Sequence, residues 1–290
     1  MTVQGISVVI PAYNEENGIG PTLKGLIDVL SASGLTYEII VVDDGSRDNT
    51  AAAVHQIPGI RLICHAFNKG YGASLKTGIR QANFDTIVIT DADGTYPNDM
   101  IPTLVTYIGP FDMVVGARTG DSVAVPLVRK PAKWALRTLA NYLSGVEIPD
   151  LNSGLRVFKR DVVTRFFRML PSGFSFTTSS TLALLTNDFN VKYVPINYFA
   201  RTGKSKINPI KDTINFFSLV VRVILSYRPL RVFVPVALLL LLIGAVKVVY
   251  DINAYDWHIA TSTVVFITLT FQWIVLGLIA DLVVALHKGE

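Results

Sequence analysis

Thr86-Ile87-Val88-Ile89-Thr90-Asp91-Ala92-Asp93-Gly94 runs out of a short β-branched segment straight into two carboxylates. A run this short, apolar at successive positions and closed by polar residues and Gly, predicts a strand buried on both faces. The pattern recurs to either side. Residues 6–10, 38–42, 60–64 and 112–115 are Val- and Ile-rich runs of strand length, and residues 17–32, 48–55, 71–82 and 98–108 read as helices between them. Ser, Asp or Asn stands near several helix starts, where a side-chain oxygen can accept an exposed backbone N–H. Strand–helix alternation with continuously apolar strands predicts an α/β fold, a mostly parallel sheet with helices on both faces.

In open sheets of this kind, ligands bind beyond the carboxyl ends of the strands. Asn14 and Glu15 follow the first run, Asp43 and Asp44 the second, Asn68 and Lys69 the third, Asp91 and Asp93 the fourth, and Arg118 the fifth. Five consecutive strand ends with charged or amide side chains predict one shared site. Asp91 and Asp93, alternate residues on an extended turn, can aim two carboxylates at one hard divalent cation that keeps waters and bridges phosphate oxygens. Such a cation would neutralise the charge on a departing nucleoside diphosphate. An isolated Asp-x-Asp is more often a solvated turn; Asp43 and Asp44 at a neighbouring strand end favour the metal. Asn68-Lys69-Gly70-Tyr71-Gly72 precedes a helix, so glycine backbone, helix N-terminus and Lys69 together suit a phosphate.

Half of the 290 residues are hydrophobic and the mean hydropathy is +0.44, with the excess gathered in the last fifth of the chain. Residues 232–250 and 263–286 are apolar enough to be membrane spans; 19 residues at about 1.5 Å each cover roughly 28 Å, close to a bilayer core. Arg228, Arg231 and Lys288 flank the spans, while 251–262 between them holds no Lys or Arg, which predicts both termini in the cytosol. No segment reads as a signal peptide, so the soluble part is expected to stay cytosolic. Before the spans, 209–227 reads as an amphipathic helix at the membrane interface, with Ile210, Ile214, Phe217 and Val221 on one side.

The 26 basic and 22 acidic residues leave a net charge of +4, too little for a nucleic-acid partner. Arg118, Arg129, Lys130, Arg156, Arg201, Lys204 and Lys206 form a basic set toward the membrane, and Arg forks match phosphate oxygens bidentately; for Lys130 and Lys211, attraction to anionic headgroups suffices. Cys64, the single cysteine, sits in an apolar run and reads as a buried structural thiol. The four histidines show no metal-ligand spacing and are assigned no role.

Taken in order, VVIPAYNE, VVDDGSRDNT, NKGYG, DADG, VVGAR, DLNSGLRVF and RTGKSK resemble the family-2 glycosyltransferases of the GT-A fold, in particular the polyprenyl-phosphate sugar transferases such as dolichol-phosphate mannose synthase. The resemblance runs from Ile6 to about Pro229. It implies metal-dependent, inverting transfer of a hexose from a UDP- or GDP-linked sugar to dolichyl or undecaprenyl phosphate. It further implies that Pro11, Tyr13, Glu15, Asp43, Asp44, Lys69 and Gly70 lie along the nucleotide. Asp91 and Asp93 would carry Mg2+ or Mn2+, with Asp93, Arg118 and Arg201 catalytic. Arg118, Arg129, Ser153, Arg201, Lys204 and Lys206 would face the lipid phosphate or the diphosphate. Relatives often carry a metal-holding Gln two residues after the second aspartate, where this chain has Thr95.

The expected organisation is a cytosolic GT-A domain over 1–207, an interfacial helix over 208–230 and a two-helix anchor over 231–290 that also offers a surface for homo-oligomers. Two alternatives stand beside it. One is a processive polysaccharide synthase, though Gln272-Trp273 lies inside a span and lacks the Gln-x-x-Arg-Trp pattern of such enzymes. The other is a nucleotide-binding membrane scaffold without catalysis.

Overall fold

A computed structural model describes residues 3–119, 145–199, 227–254 and 259–288, together with helical positions 138, 141, 142, 221, 224 and 225. The chain runs β1 (Ile6–Ala12), α1 (Ile19–Ser33), β2 (Tyr37–Asp43), α2 (Thr50–His55), β3 (Ile60–Cys64), α3 (Tyr71–Gln81), β4 (Thr86–Ile89), a 3-10 turn (Asn98–Met100), α4 (Ile101–Thr106) and β5 (Met113–Ala117). It continues with β6 (Arg156–Lys159), α5 (Arg160–Arg165), α6 (Phe176–Thr186), β7 (Val191–Pro195), α7 (Leu230–Ala254) and α8 (Thr261–Lys288).

Successive side chains on a strand face opposite sides of the sheet, and here both sides are apolar. Ile6, Val8 and Ile10 of β1 pack with Leu23, Leu26 and Leu30 of α1. Val9 joins Ile40 and Val42 of β2 against Leu75 and Ile79 of α3 on the other face. The seven strands lie in the order β3-β2-β1-β4-β6-β5-β7, parallel except for β6, which runs antiparallel between β4 and β5. The sheet is therefore mostly parallel, as the strand–helix alternation predicts.

Three local expectations change. The segment 150–156 reads as a motif rather than a strand approach, yet Arg156–Lys159 is the inner strand β6, with Arg156 paired to Ile89 and Val115. Its apolar signal is only Val157-Phe158 between two basic residues. In helices α1 to α6 the N-cap residue itself makes no side-chain hydrogen bond; at α2 the preceding Asp48 accepts the Thr50 N–H (3.0 Å), and at α1 the Glu15 carbonyl accepts the N–H groups of Gly18 and Ile19. Cys64 is exposed, not buried, because β3 is the sheet edge and only one face of it is covered.

Helices α7 and α8 are long and apolar enough to cross a membrane, with mean hydropathies of 2.7 and 2.1. They lie side by side in opposite directions: Phe233 meets Trp273 at 5.3 Å between ring centroids, Gly244 lies against Phe266 and Ile267, and near the turn Asp251 accepts the Thr263 hydroxyl (2.5 Å) and the Ala260 N–H (2.9 Å). At the other end Val232 packs against the cluster of Ile148, Leu151, Leu182 and Leu185, and Arg231 Nη1 donates to the Tyr142 carbonyl at 3.1 Å. Most of the interfacial helix expected over 208–230 lies outside the described residues, which take in only 221, 224, 225 and 227–230 of it.

Candidate active site

The loops after β1 and β2 are laced together. Asn14, at φ 53, donates its N–H to Ser46 Oγ (2.9 Å) and accepts the Arg47 N–H at Oδ1 (2.8 Å). The Glu15 N–H donates to Thr50 Oγ1 at 2.8 Å. Pro11 is buried at the end of β1 beside Val42, whereas Tyr13 stands 38 % exposed. Asn tolerates the left-handed conformation that lets the β1 loop fold back onto its neighbour.

Asp43 and Asp44 close β2 and are both buried. Asp43 Oδ1 accepts the Ser46 N–H at 3.1 Å. The Asp44 carboxylate accepts the N–H groups of Lys69 (2.9 Å) and Gly70 (2.7 Å) and His65 Nδ1–H (2.7 Å). His65 Nε2 lies 3.0 Å from the Thr77 hydroxyl of α3. Asp44, expected along the nucleotide, thus shapes the Lys69–Gly70 turn. No metal-ligand spacing marks His65 in the sequence, and its Asp44 partner lies 21 residues away.

Lys69 is exposed, its Nζ 5.5 Å from the Phe67 ring centroid. Gly70 has φ 102, and a Cβ there would fall 2.5 Å from the Ser172 carbonyl oxygen, so the turn admits glycine alone. The Ala73 N–H donates to that carbonyl at 3.0 Å, and Phe174 stacks on Tyr71 with centroids 5.4 Å apart and planes at 18°. Packing of the 171–174 loop on the start of α3 went unread in the sequence; the Pro171-Ser172-Gly173 turn signal was its only trace.

Asp91 and Asp93 sit past the end of β4, both part-buried. Tyr71 Oη donates to Asp91 Oδ1 at 3.0 Å. Thr95 Oγ1 donates to Asp93 Oδ1 at 2.7 Å, and the Thr95 N–H reaches the same oxygen at 3.2 Å. Opposite them stands the loop from Asp150 to Gly154. A Cβ at Gly154 would lie 2.9 Å from Asp91 Oδ2, and the Gly154 N–H donates to Tyr96 Oη at 2.6 Å. The Phe199 N–H donates to the Thr95 carbonyl at 3.0 Å, which brings the chain leading into 201–206 alongside Asp93. A cavity of about 480 Å3 meets Asp93 from the α1 side, lined by Asn17, Pro21, Pro97, Asp99 and Phe199 among others.

Two arginines hold the 150–154 loop. Arg118 forks onto Asp150 through Nε (2.8 Å) and Nη2 (2.9 Å), and its N–H donates to the same carboxylate at 2.9 Å. Burial opposes both charges, but the mutual hydrogen bonds outweigh it. They hold the Asp150 carboxyl at about 2 and raise the guanidinium pKa further. Arg156 is fully buried. It donates from Nε to the Ser153 carbonyl (2.7 Å), from Nη2 to the Leu151 carbonyl (2.9 Å) and from Nη1 to Thr181 Oγ1 (2.6 Å).

Arg156 therefore leaves the basic set expected to face phosphate and becomes the internal brace of this loop. Ser153, expected to face phosphate, is also fully buried, and its hydroxyl donates to the Gly116 carbonyl at 2.5 Å. Arg129, Arg201, Lys204 and Lys206 lie outside the described residues, as do Lys130 and Lys211.

Residues 7–167, more than half of the chain, match glycosyl transferase family 2, and residues 228–286 match the GtrB C-terminal hairpin. The chain belongs to glycosyl transferase family 2 and is a glycosyltransferase carrying that hairpin. It is similar to the dolichyl-phosphate hexose transferase of Haloferax volcanii, 28% identical over 78% of this chain and 97% of that one. It is also similar to the undecaprenyl-phosphate 4-deoxy-4-formamido-L-arabinose transferase of Edwardsiella ictaluri, 29% identical over 79% and 70%. Among solved structures, glucosyl-3-phosphoglycerate synthase from Mycobacterium tuberculosis in complex with Mn2+, UDP and phosphoglyceric acid superposes with a TM-score of 0.60 at 20% identity, over 76% of this chain and 78% of that one. That likeness shows the GT-A-like fold.

Proposed function

We propose that the protein transfers a hexose from a UDP- or GDP-linked sugar to the phosphate of a polyprenyl lipid, dolichyl or undecaprenyl, at the cytosolic face of a membrane. The observation that carries this reading is the Asp91–Asp93 pair, held at the β4 end of a family-2 domain that continues into an apolar two-helix hairpin. The two similar transferases differ in sugar but share a polyprenyl-phosphate acceptor by name, which supports the acceptor more than any one donor.

The donor set at Asp91 and Asp93 suits Mg2+ or Mn2+. Both ions are hard, and beside a diphosphate they need only one or two protein carboxylates, the remaining ligands being phosphate oxygens and water. Among the described residues no third Asp, Glu, His or Cys joins the pair. When bound, the cation would supply charge neutralisation on the leaving diphosphate. The chain's own part is to bind and orient. The Lys69–Gly70 turn, Pro11, Tyr13, Glu15 and Asp43 are assigned to the nucleotide. Asp150 takes Nε and Nη2 of Arg118, so an anion would meet that side chain at Nη1; Arg129, Arg201, Lys204 and Lys206 are assigned to the same phosphates.

A phosphomonoester has its second pKa near about 6 and is largely dianionic at neutral pH, so it attacks the anomeric carbon without a strong base. One phosphate oxygen forms the new bond to that carbon as the bond to the diphosphate oxygen breaks, its electron pair leaving with the nucleoside diphosphate. A single displacement of this kind inverts the sugar. Residues 1–207 are taken as the cytosolic catalytic domain, 208–230 as an interfacial helix and 231–290 as the anchor, with both termini cytosolic.

The test is transfer of radiolabelled sugar from a panel of UDP- and GDP-sugars to polyprenyl phosphate by the full chain in detergent, with Mg2+, with Mn2+ and with chelator. The expected result is metal-dependent label in the organic phase with inverted anomeric configuration. Nucleotide binding with no lipid-linked label from any donor would overturn the reading, and a retained configuration would overturn the single displacement.

A further inference from the structure

Among the described residues, a hydroxyl reaches each carboxylate past β4. Tyr71 Oη reaches Asp91 Oδ1 at 3.0 Å from the first residue of α3, and Thr95 Oγ1 reaches Asp93 Oδ1 at 2.7 Å from within the turn. We propose that Tyr71 and Thr95 are the positioning residues of the Asp91–Asp93 pair, fixing one oxygen of each carboxylate so that both face the same cation. This rests on the reading of the pair as metal ligands.

Chemistry favours hydroxyls for the task. A Lys or Arg in either place would orient the carboxylate but also cancel the charge that attracts a cation. A hydroxyl orients without cancelling.

Both donors are themselves held. The Tyr71 ring is stacked by Phe174 at 5.4 Å, and α3 starts where Gly70 and Gly72 leave no room between the helix and the backbone of the 171–173 loop: a Cβ on either would fall 2.5 or 2.3 Å from a carbonyl oxygen. Thr95 is 1 % exposed, and its carbonyl is tied to the Phe199 N–H at 3.0 Å. On the far side of Asp91, Gly154 stands where a Cβ would lie 2.9 Å from Oδ2. Asp91 is thus boxed between a donor and a backbone. Partners of this kind around a metal ligand change metal affinity by about 10–100-fold when removed.

The test is Mn2+ binding by the full chain in detergent, followed as loss of the free-Mn2+ electron paramagnetic resonance signal in the presence of UDP and, in parallel, of GDP. Tyr71→Phe keeps the stacked ring and removes only the hydroxyl; Thr95→Val removes the hydroxyl at constant shape, and Thr95→Ser restores it. The expected result is a Mn2+ Kd raised about tenfold or more by Tyr71→Phe and by Thr95→Val, with Thr95→Ser within about threefold of wild type. Wild-type Mn2+ affinity in Tyr71→Phe and Thr95→Val would overturn the positioning role and leave the metal reading standing. A wild-type chain that takes up no Mn2+ with either nucleotide would overturn both.

Discussion

Arg118 and Asp150 set the terms at the residue scale. A forked pair this well buried is costly to break, because the partner left behind is a buried charge. The Asp150 carboxyl titrates at about 2 in the folded chain against an ordinary 3.8, so the pair contributes fully above pH 4 and is lost as the pH falls toward 2. A shift of that size corresponds to roughly 2 kcal/mol. Thermal or urea unfolding should therefore show Asp150→Asn less stable than wild type at pH 7, with the gap narrowing by most of that amount by about pH 2; a gap independent of pH would contradict it. Asp91 and Asp93 were legible in the sequence because a strand end names its own residues. Arg156 and Ser153 were not. A basic or hydroxyl side chain in a motif reads the same whether it meets a ligand or braces the loop behind it, and only the antiparallel register of β6 against Ile89 and Val115 decides between the two.

Among elements, the parallel strands were legible because their apolar runs are continuous and their ends polar. Strand β6 was hidden by Arg156 and Lys159 at its two ends, and the exposure of Cys64 by the edge position of β3, which no local pattern reveals. The turn before α3 belongs at this scale too. It depends on Asp44 from β2, on Ser172 from the loop after α5 and on a glycine at φ 102. Gly70→Ala meets both the left-handed backbone and the Ser172 carbonyl, and should cost more than about 1 kcal/mol of stability. It should also weaken nucleoside diphosphate binding measured by calorimetry. An unchanged affinity would show that the Lys69–Gly70 turn does not touch the nucleotide. Side-chain oxygens at helix starts are used sparingly: Asp48 accepts the Thr50 N–H at the start of α2, whereas at α1 the Glu15 backbone carbonyl takes those N–H groups.

On the scale of the whole molecule, a site built at the carboxyl ends of a sheet is joined to an apolar hairpin whose first turn rests on the domain through Val232 and Arg231. The spans were legible from composition alone, because about 20 apolar residues in a row admit few other readings. The contact between hairpin and domain was not, since it pairs Arg231 with the Tyr142 carbonyl far along the chain. If the hairpin holds the site at the depth of the lipid head, a chain ending at Tyr227 should bind nucleoside diphosphate as the full chain does yet transfer sugar poorly to a long-chain acceptor. Equal transfer by both would contradict the anchoring role.

The most direct measurement is label transfer to polyprenyl phosphate by wild type and Asp93→Ala, side by side, with the preferred donor and saturating Mn2+. A drop of about a hundredfold or more is predicted, in line with the loss of electrostatic stabilisation on the leaving group. Transfer by Asp93→Ala at the wild-type rate would contradict the assignment of the chemistry to the Asp91–Asp93 turn.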